Sequence, residues 1–178
     1  MSPAEKGGGG GAAAATIPTV DALAQELLLI QQSGPRRVAI IGSRNLPLTH
    51  QQLVEMLAYA LVLSGNQVVT SGGANGTNMA AIRGAQRANP DRLEIILPQT
   101  IGQQPAEVQD LLIGAKHIIE YPDRRSMTLA DASKLCNHEI IDRCQQIICF
   151  LYHTSYTLLE SLNYAKDHRK IVTQFFLD

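Results

Sequence analysis

One glycine-rich loop in this chain has the residue types and the position that phosphate binding requires. It reads Ser71-Gly72-Gly73-Ala74-Asn75-Gly76-Thr77-Asn78, after a predicted strand and before a predicted helix. Glycines leave backbone N–H groups open to a ligand, and the start of a helix adds unpaired donors and the positive end of its dipole. The loop matches neither the P-loop pattern nor the dinucleotide fingerprint, so it predicts an anion cradle without nucleotide hydrolysis.

Two further turns carry donors that suit a phosphate. The first strand ends in Gly42-Ser43-Arg44, where Gly42 permits a sharp turn, Ser43 offers a hydroxyl and Arg44 offers a planar guanidinium. Ser155 and Thr157 follow the fifth strand, where their hydroxyls can cap the next helix or donate to a phosphate. An ordinary strand-to-helix turn and simple helix capping are the competing interpretations of these two segments.

Catalytic chemistry has little support in this sequence. Glu160 lies one turn into the last helix and could polarise a ribose hydroxyl or a water, but a Glu there also simply complements the helix dipole. Cys136, Cys144 and Cys149 form no C-x-x-C pair, and the five histidines lack metal-ligand spacing. No G-x-S-x-G motif is present. We therefore predict no metal, no cofactor and no nucleophilic catalysis.

The elements that position these turns alternate along the chain. Strand-like apolar runs alternate with amphipathic helical segments, which predicts parallel βαβ units and a Rossmann-like three-layer α/β/α sandwich with a mostly parallel six-stranded sheet. In such a sheet, ligands bind at the carboxyl ends of the strands near the point where strand order reverses. The predicted strands are 38–41, 67–70, 93–97, 117–120, 147–151 and 171–175, and the predicted helices between them are 49–64, 77–88, 105–115, 128–143 and 157–168.

Composition limits the class of protein. The chain has 178 residues, with 15 Lys and Arg against 16 Asp and Glu, which excludes a nucleic-acid binder that works by bulk positive charge alone. No apolar run approaches the roughly 18 residues that span a bilayer, so we expect a cytoplasmic protein without membrane contact. Residues 1–18 are rich in Gly and Ala and predict a disordered tail. A leading helix over 19–34, capped by Thr19, and one domain over 36–178 complete the predicted organisation.

Several segments, in the same order along the chain, resemble the DNA-processing protein A (DprA/Smf) family. That family belongs to the wider SLOG group of nucleotide-binding folds, with the lysine-decarboxylase-like LOG proteins. The resemblance implies a Rossmann-like domain linked to DNA processing and recombination, which binds single-stranded DNA, loads a recombinase and dimerises. It covers about residues 36–178 and rests on segments 38–44, 71–78, 120–122, 137–141, 155–158 and 165–172.

The chain departs from the family pattern at positions expected to meet DNA. The family's Arg in the glycine loop is Asn75 here, its Asp is Asn78 and its His two turns later is Ile82. Its basic R-N-R stretch reads Asn137-His138-Glu139, so two cations are lost and an anion is gained. With few aromatic residues for base stacking, these changes predict weak, salt-dependent binding of single-stranded DNA.

We predict a protein that binds a phosphate-bearing ligand, either a nucleotide or a nucleic-acid backbone, without catalysis. The predicted site joins residues 42–44 and the loop 71–78 with Ser155 and Thr157. The enzyme alternative is a LOG-like nucleoside-5′-monophosphate phosphoribohydrolase in which Glu160 is the catalytic carboxylate. Thr157 and Glu160 align with P-G-G-x-G-T-x-x-E, but its glycines and proline are absent. A second alternative is an oligomeric interaction module with a vestigial pocket, and a homo-oligomer is expected in either case.

Overall fold

The computed structural model describes residues 17–32, 34–73 and 75–178, so almost all of the predicted tail 1–18 lies outside the described residues. Within the described part, helices and strands alternate as the sequence predicts. The helices are α1 (Val20–Gln32), α2 (Leu48–Leu63), α3 (Thr77–Ala88), α4 (Ala106–Leu112), α5 (Leu129–Asp142) and α6 (Tyr156–Asp167), and the strands are β1 (Arg37–Gly42), β2 (Gln67–Thr70), β3 (Leu93–Ile96), β4 (Ile118–Ile119), β5 (Gln146–Leu151) and β6 (Ile171–Phe176).

The six strands form one sheet in the order β4-β3-β2-β1-β5-β6. Every described pairing is parallel, so the sheet is more regular than the mostly parallel one that the sequence predicts. Strand order runs outward from β1 in one direction through β2, β3 and β4, and in the other through β5 and β6. The reversal therefore lies between β1 and β5, and the three turns with predicted phosphate donors follow β1 and its two neighbours.

Two apolar cores, one on each face of the sheet, confirm the three-layer architecture. Alternate residues of β1 face opposite sides, so Val38 and Ile40 pack against α1 to α4, whereas Ala39 and Ile41 pack against α5 and α6. A strand covered on both faces requires a continuous apolar run, which is what the segment from Val38 to Ile41 provides.

The leading helix α1 packs into the first of these cores. Thr19 Oγ1 accepts a hydrogen bond from the amide of Ala22 at 3.1 Å, which is the predicted N-cap. Leu23 and Ile30 are buried together with residues of α2 and β1. No helix in the described part of the chain is long and apolar enough to cross a membrane.

The structure differs from the sequence prediction mainly around β3 and β4. β4 has two residues rather than the predicted four, because only Ile118 and Ile119 pair with β3. α4 ends at Leu112 rather than Ala115, where the amide of Ala115 closes a turn on the carbonyl of Leu112. Three short 3₁₀ turns, at Pro90–Arg92, Ile101–Gln103 and Pro122–Arg124, were not predicted.

Candidate functional site

A cavity of about 470 Å³ opens at the carboxyl ends of β1 and β2 and between the two helical layers. Its floor comes from the strand ends, and its walls come from the segment after β3, from α5 between Leu129 and Asn137, and from the first turn of α6. The lining residues are Ile41, Gly42, Ser43, Arg44, Ser71, Gly72, Gly73, Asn78, Pro98, Gln103, Gln104, Pro105, Leu129, Ala130, Ser133, Cys136, Asn137, Thr157 and Leu158.

The structure brings most of the predicted site residues to this cavity but not all of them. Gly42, Ser43 and Arg44 line it, together with Ser71, Gly72, Gly73, Asn78 and Thr157. Asn75, Gly76, Thr77 and Ser155 do not belong to the lining. Their predicted contact with a ligand stays a prediction, whereas their contacts within the chain are visible in the structure.

Gly76 and Thr77 fasten the start of α3 to the turn after β1. The amide and the hydroxyl of Thr77 both donate to the carbonyl of Ser43, at 3.1 and 3.0 Å. Gly76 has φ 149°, and a Cβ at this position would lie 2.5 Å from the carbonyl oxygen of Arg44. Only glycine fits so close to the neighbouring backbone at this φ. These two residues therefore position Arg44, and Thr77 uses both of its donors inside the fold.

The glycine loop is not a fully open amide cradle. Gln104 is almost completely buried, and its Oε1 accepts a hydrogen bond from the amide of Gly73 at 2.8 Å. The side chain of Asn78 donates to the carbonyl of Gly72 at 2.8 Å, which holds the loop closed on itself. The amide of Gly72 has no hydrogen-bond partner among the residues that the structure describes. A phosphate on the Gly73 amide would have to displace Gln104, whereas a phosphate on the Gly72 amide would displace no hydrogen bond to a described residue.

Arg44 supplies the uncompensated positive charge of the cavity. Its guanidinium Nε lies 3.9 Å from where a Cβ on Gly73 would stand, so the side chain reaches over the glycine loop. Among the described residues it has neither a carboxylate within 4 Å nor a hydrogen-bond partner. By contrast, Arg83 and Arg87 share the carboxylate of Glu55 at 3.5 and 2.7 Å. A guanidinium without a partner at a cavity mouth is available for a phosphate or carboxylate.

Arg124, a second cation that follows a strand at this edge of the sheet, is already neutralised. Its guanidinium lies 3.7 Å from the ring centroid of Tyr121 and 3.9 Å from a carboxylate oxygen of Glu139. Glu139 also accepts from the hydroxyl of Tyr121 and binds Arg143 at 3.0 Å. Burial, together with this hydrogen bond to Glu139, raises the pKa of Tyr121 to about 12. Glu139, which stands where the resembled family has a cation, therefore holds neighbouring arginines rather than facing the cavity.

The turn after β5 contributes one hydroxyl to the cavity. Ser155 Oγ accepts from the amide of Tyr152 at 3.1 Å and so closes its own turn. Thr157 lies at the cavity wall. Glu160 is about half exposed, forms an ion pair with Lys134 at 2.5 Å and is absent from the lining. The carboxylate that the hydrolase alternative requires thus lies outside the cavity and is paired with a lysine.

Sequence reasoning missed the wall between β3 and α4. Gln103 and Gln104 belong to a segment bounded by Pro98 and Pro105, and a Gln-rich turn between two prolines after a strand was the available signal. Glu120 fixes this segment, since its carboxylate accepts from the amide of Ile101 at 2.7 Å. Gln103 and Gln104 bring side-chain amide groups to the cavity, and Pro98 and Pro105 bring apolar rings, in addition to the charge of Arg44.

Sequence reasoning also missed the wall that α5 provides. Cys136 is buried at the cavity edge, and its thiol donates to the carbonyl of Ile96 at 3.1 Å. Burial raises the pKa of Cys136 to about 11, so at neutral pH it remains a thiol rather than a nucleophilic thiolate. No cluster of three His, Cys, Asp or Glu residues suited to a metal ion occurs in the described ranges.

Comparison with known proteins gives a family match and two similar folds. The family model of DNA recombination-mediator protein A matches residues 28–120, which is more than half of the chain. This match includes β1, Arg44, the glycine loop and the Gln103–Gln104 wall, and it ends before α5. No curated protein matches the chain.

Two solved structures of DNA processing protein A resemble this chain. The protein from Helicobacter pylori, described for its single-stranded DNA binding mode, is 22% identical with a TM-score of 0.66, over 81% of this chain and 66% of that one. The protein from Streptococcus pneumoniae is 20% identical with a TM-score of 0.59, over 82% of this chain and 52% of that one. The chain therefore spans less than two thirds of either relative, and the likeness shows the fold.

Proposed function

Because this chain belongs to the DNA recombination-mediator protein A family, we propose that it binds the phosphate groups of a nucleotide or of a single DNA strand and serves DNA processing or recombination without catalysis. The Helicobacter pylori relative, which is described as binding single-stranded DNA, supports a nucleic-acid partner. The ligand phosphate would lie between Arg44 and the glycine loop. The predicted homo-oligomer is a further part of this proposal, and light scattering tests it.

The observation that carries the proposal is the guanidinium of Arg44 above the glycine loop. It lacks a partner among the described residues, and Gly72, whose amide has no hydrogen-bond partner among them either, lines the same cavity. An arginine and a backbone amide together can bind two oxygens of one phosphate through charge-assisted hydrogen bonds. The absence of an acidic side chain from the described lining leaves the positive charge uncompensated.

Weak binding of a single strand follows from the small number of available cations. Arg124 and Arg143 are held by Glu139, so Arg44 is the cation that the described cavity lining offers. Each phosphate neutralised on a single strand contributes about 0.7 to the slope of log affinity against log salt concentration. A cavity with one available cation should therefore show a shallow slope and modest affinity.

Substitution of Arg44 tests the proposal. We expect Arg44→Gln to weaken binding of a mononucleotide and of a single-stranded DNA of about 20 nucleotides by roughly tenfold, because a hydrogen bond to a charged group contributes about 1.5–3 kcal/mol. Fluorescence anisotropy at low salt measures the DNA affinity, and calorimetry measures the nucleotide affinity. Arg92→Gln is the matched control, since Arg92 is also exposed but precedes β3 at the opposite edge of the sheet. Equal affinities of wild type and Arg44→Gln would contradict the proposal.

An AMP hydrolysis assay separates binding from the enzyme alternative. Glycoside cleavage needs carboxyl groups beside the scissile bond, and the lining residues that the structure describes include no Asp or Glu. We therefore expect no adenine after prolonged incubation of the protein with AMP, measured by chromatography. Adenine release that disappears in Glu160→Gln would show that the chain is a phosphoribohydrolase.

A further inference from the structure

A second group of unpaired cations lies at the amino ends of β1, β5 and β6, at the edge of the sheet opposite the cavity. Arg36, Arg169 and Lys170 line an open groove there, with Gln145 and His168 between them. None of the three cations has a carboxylate within 4 Å among the described residues. The strands between the two edges are six residues long, which separates this groove from the cavity by about 20 Å.

The contacts inside the groove leave most of the cationic donors free. One nitrogen of Arg36 donates to the side-chain oxygen of Gln146 at 3.2 Å, and Lys170 Nζ donates to the carbonyl of Asp142 at 3.3 Å. Two of the acidic side chains nearby are engaged elsewhere, whereas Asp167, next to His168, is exposed. Glu26 accepts from Gln146 and from Thr173, and the carboxylate of Asp142 accepts from the hydroxyl of Tyr164.

Arg169 occupies a backbone position that favours glycine. It has φ 57° and is the non-glycine residue with a positive φ in the described part of the chain. The amide of Arg169 donates to the carbonyl of Lys166, and the amide of Lys170 donates to that of Ala165, both at 3.0 Å, which is a Schellman ending of α6.

The end of α2 forms the same Schellman motif, but with a glycine at the position that corresponds to Arg169. There the residue with positive φ is Gly65, with the corresponding bonds to Val62 and from Asn66 to Leu61. An arginine in the left-handed region is strained relative to glycine, so the fold alone would favour glycine at this position. Arg169 lines the same groove as Arg36 and Lys170, and three cations without a carboxylate partner among the described residues together suit an anion.

We propose that this groove is a second phosphate-binding site, which contacts a distal part of the same nucleic-acid strand that enters the cavity. The choice of a nucleic acid rests on the proposed function, whereas the groove itself rests on Arg36, Arg169 and Lys170. A mononucleotide cannot reach both sites, because they are about 20 Å apart, which exceeds the length of one nucleotide. A strand of about 20 nucleotides can.

Arg169→Gly tests the groove without harming the fold, because glycine is the favoured residue at this φ. We expect its unfolding midpoint to equal or exceed that of wild type. Its affinity for a single-stranded DNA of about 20 nucleotides should fall about three- to tenfold at low salt, with a salt slope smaller by about 0.7, while binding of a mononucleotide is unchanged. Arg92→Gln, which removes one positive charge outside the groove, should bind like wild type.

The outcomes separate this proposal from the proposed function. Wild-type affinity in Arg169→Gly, with weakened binding in Arg44→Gln, would refute the groove and leave the cavity. The reverse pattern would leave the groove and refute the cavity. An equal loss of strand affinity in Arg169→Gly and Arg92→Gln would mean that net charge causes the effect, and would refute a specific site in the groove. An equal loss of affinity for the mononucleotide and for the strand would mean that the groove binds a free phosphate rather than a distal part of the strand. Failure of the wild-type protein to bind the strand would refute the groove, and failure to bind the mononucleotide as well would also refute the cavity.

Discussion

Gly76→Ala is expected to lower the free energy of unfolding by about 3 kcal/mol and to weaken ligand binding at least about tenfold. The φ of 149° is strained for alanine, and the added Cβ would stand 2.5 and 2.6 Å from the carbonyl oxygens of Arg44 and Ser43. Relief of this clash must separate α3 from the turn after β1. That movement displaces the backbone of Arg44 and therefore its guanidinium.

Chemical denaturation measures the loss of stability, and ligand titration measures the loss of affinity. Both are carried out at a temperature well below the thermal unfolding midpoint. Gly65→Ala is the matched control, because Gly65 also has a positive φ of 91° but a Cβ there would meet nothing within 4 Å. Gly65→Ala should lower the free energy of unfolding by about 1 kcal/mol, because only the backbone conformation is strained, and it should leave ligand binding intact. Equal losses of stability in the two variants would show that the close approach to Arg44 is unimportant.

Gly84→Ala is expected to lower the free energy of unfolding by about 2 kcal/mol, although alanine usually stabilises a helix relative to glycine. Gly84 lies where α3 crosses α2, and a Cβ there would overlap the backbone carbonyl of Glu55 and lie 3.1 Å from the Cβ of Ala58. Both neighbours belong to a rigid helix, so the two helices must move apart.

Urea denaturation measures this cost. Gly102→Ala provides the control, since a Cβ at Gly102 would have no neighbour within 4 Å. That control should change the free energy of unfolding by less than about 0.5 kcal/mol. A Gly84→Ala protein as stable as wild type would mean that the contact between α2 and α3 is less tight than the structure shows.

The architecture could be predicted because its signals are local. The apolar run from Val38 to Ile41 requires burial on both faces, and the alternation of strands with helices then requires a parallel sheet. The glycine loop was placed correctly at a strand end, since a glycine run between a strand and a helix is visible in the sequence alone. The strand β4 is shorter than predicted, because only its two apolar residues, Ile118 and Ile119, pair in register with β3, and the flanking His117 and Glu120 do not.

The details of the site depend on contacts between distant segments, which one sequence does not reveal. Gln104 binds the amide of Gly73, 31 residues away. Thr77 donates to Ser43, 34 residues away, so a hydroxyl expected near a ligand is used inside the fold. The residue type of Arg44 predicted a phosphate contact, but its lack of a carboxylate partner among the described residues depends on where each of their acidic side chains lies. Arg124 also follows a predicted strand at this edge, and only the structure shows that it lies 3.9 Å from a carboxylate oxygen of Glu139.

A crystal structure with a bound mononucleotide tests the central claim most directly. The account predicts a phosphate group with an oxygen within about 3 Å of a guanidinium nitrogen of Arg44 and another within hydrogen-bond distance of the Gly72 amide. Binding at the Gly73 amide as well would require the side chain of Gln104 to leave its present position. A nucleotide seated elsewhere, with Arg44 in solvent and Gln104 still on Gly73, would contradict the account.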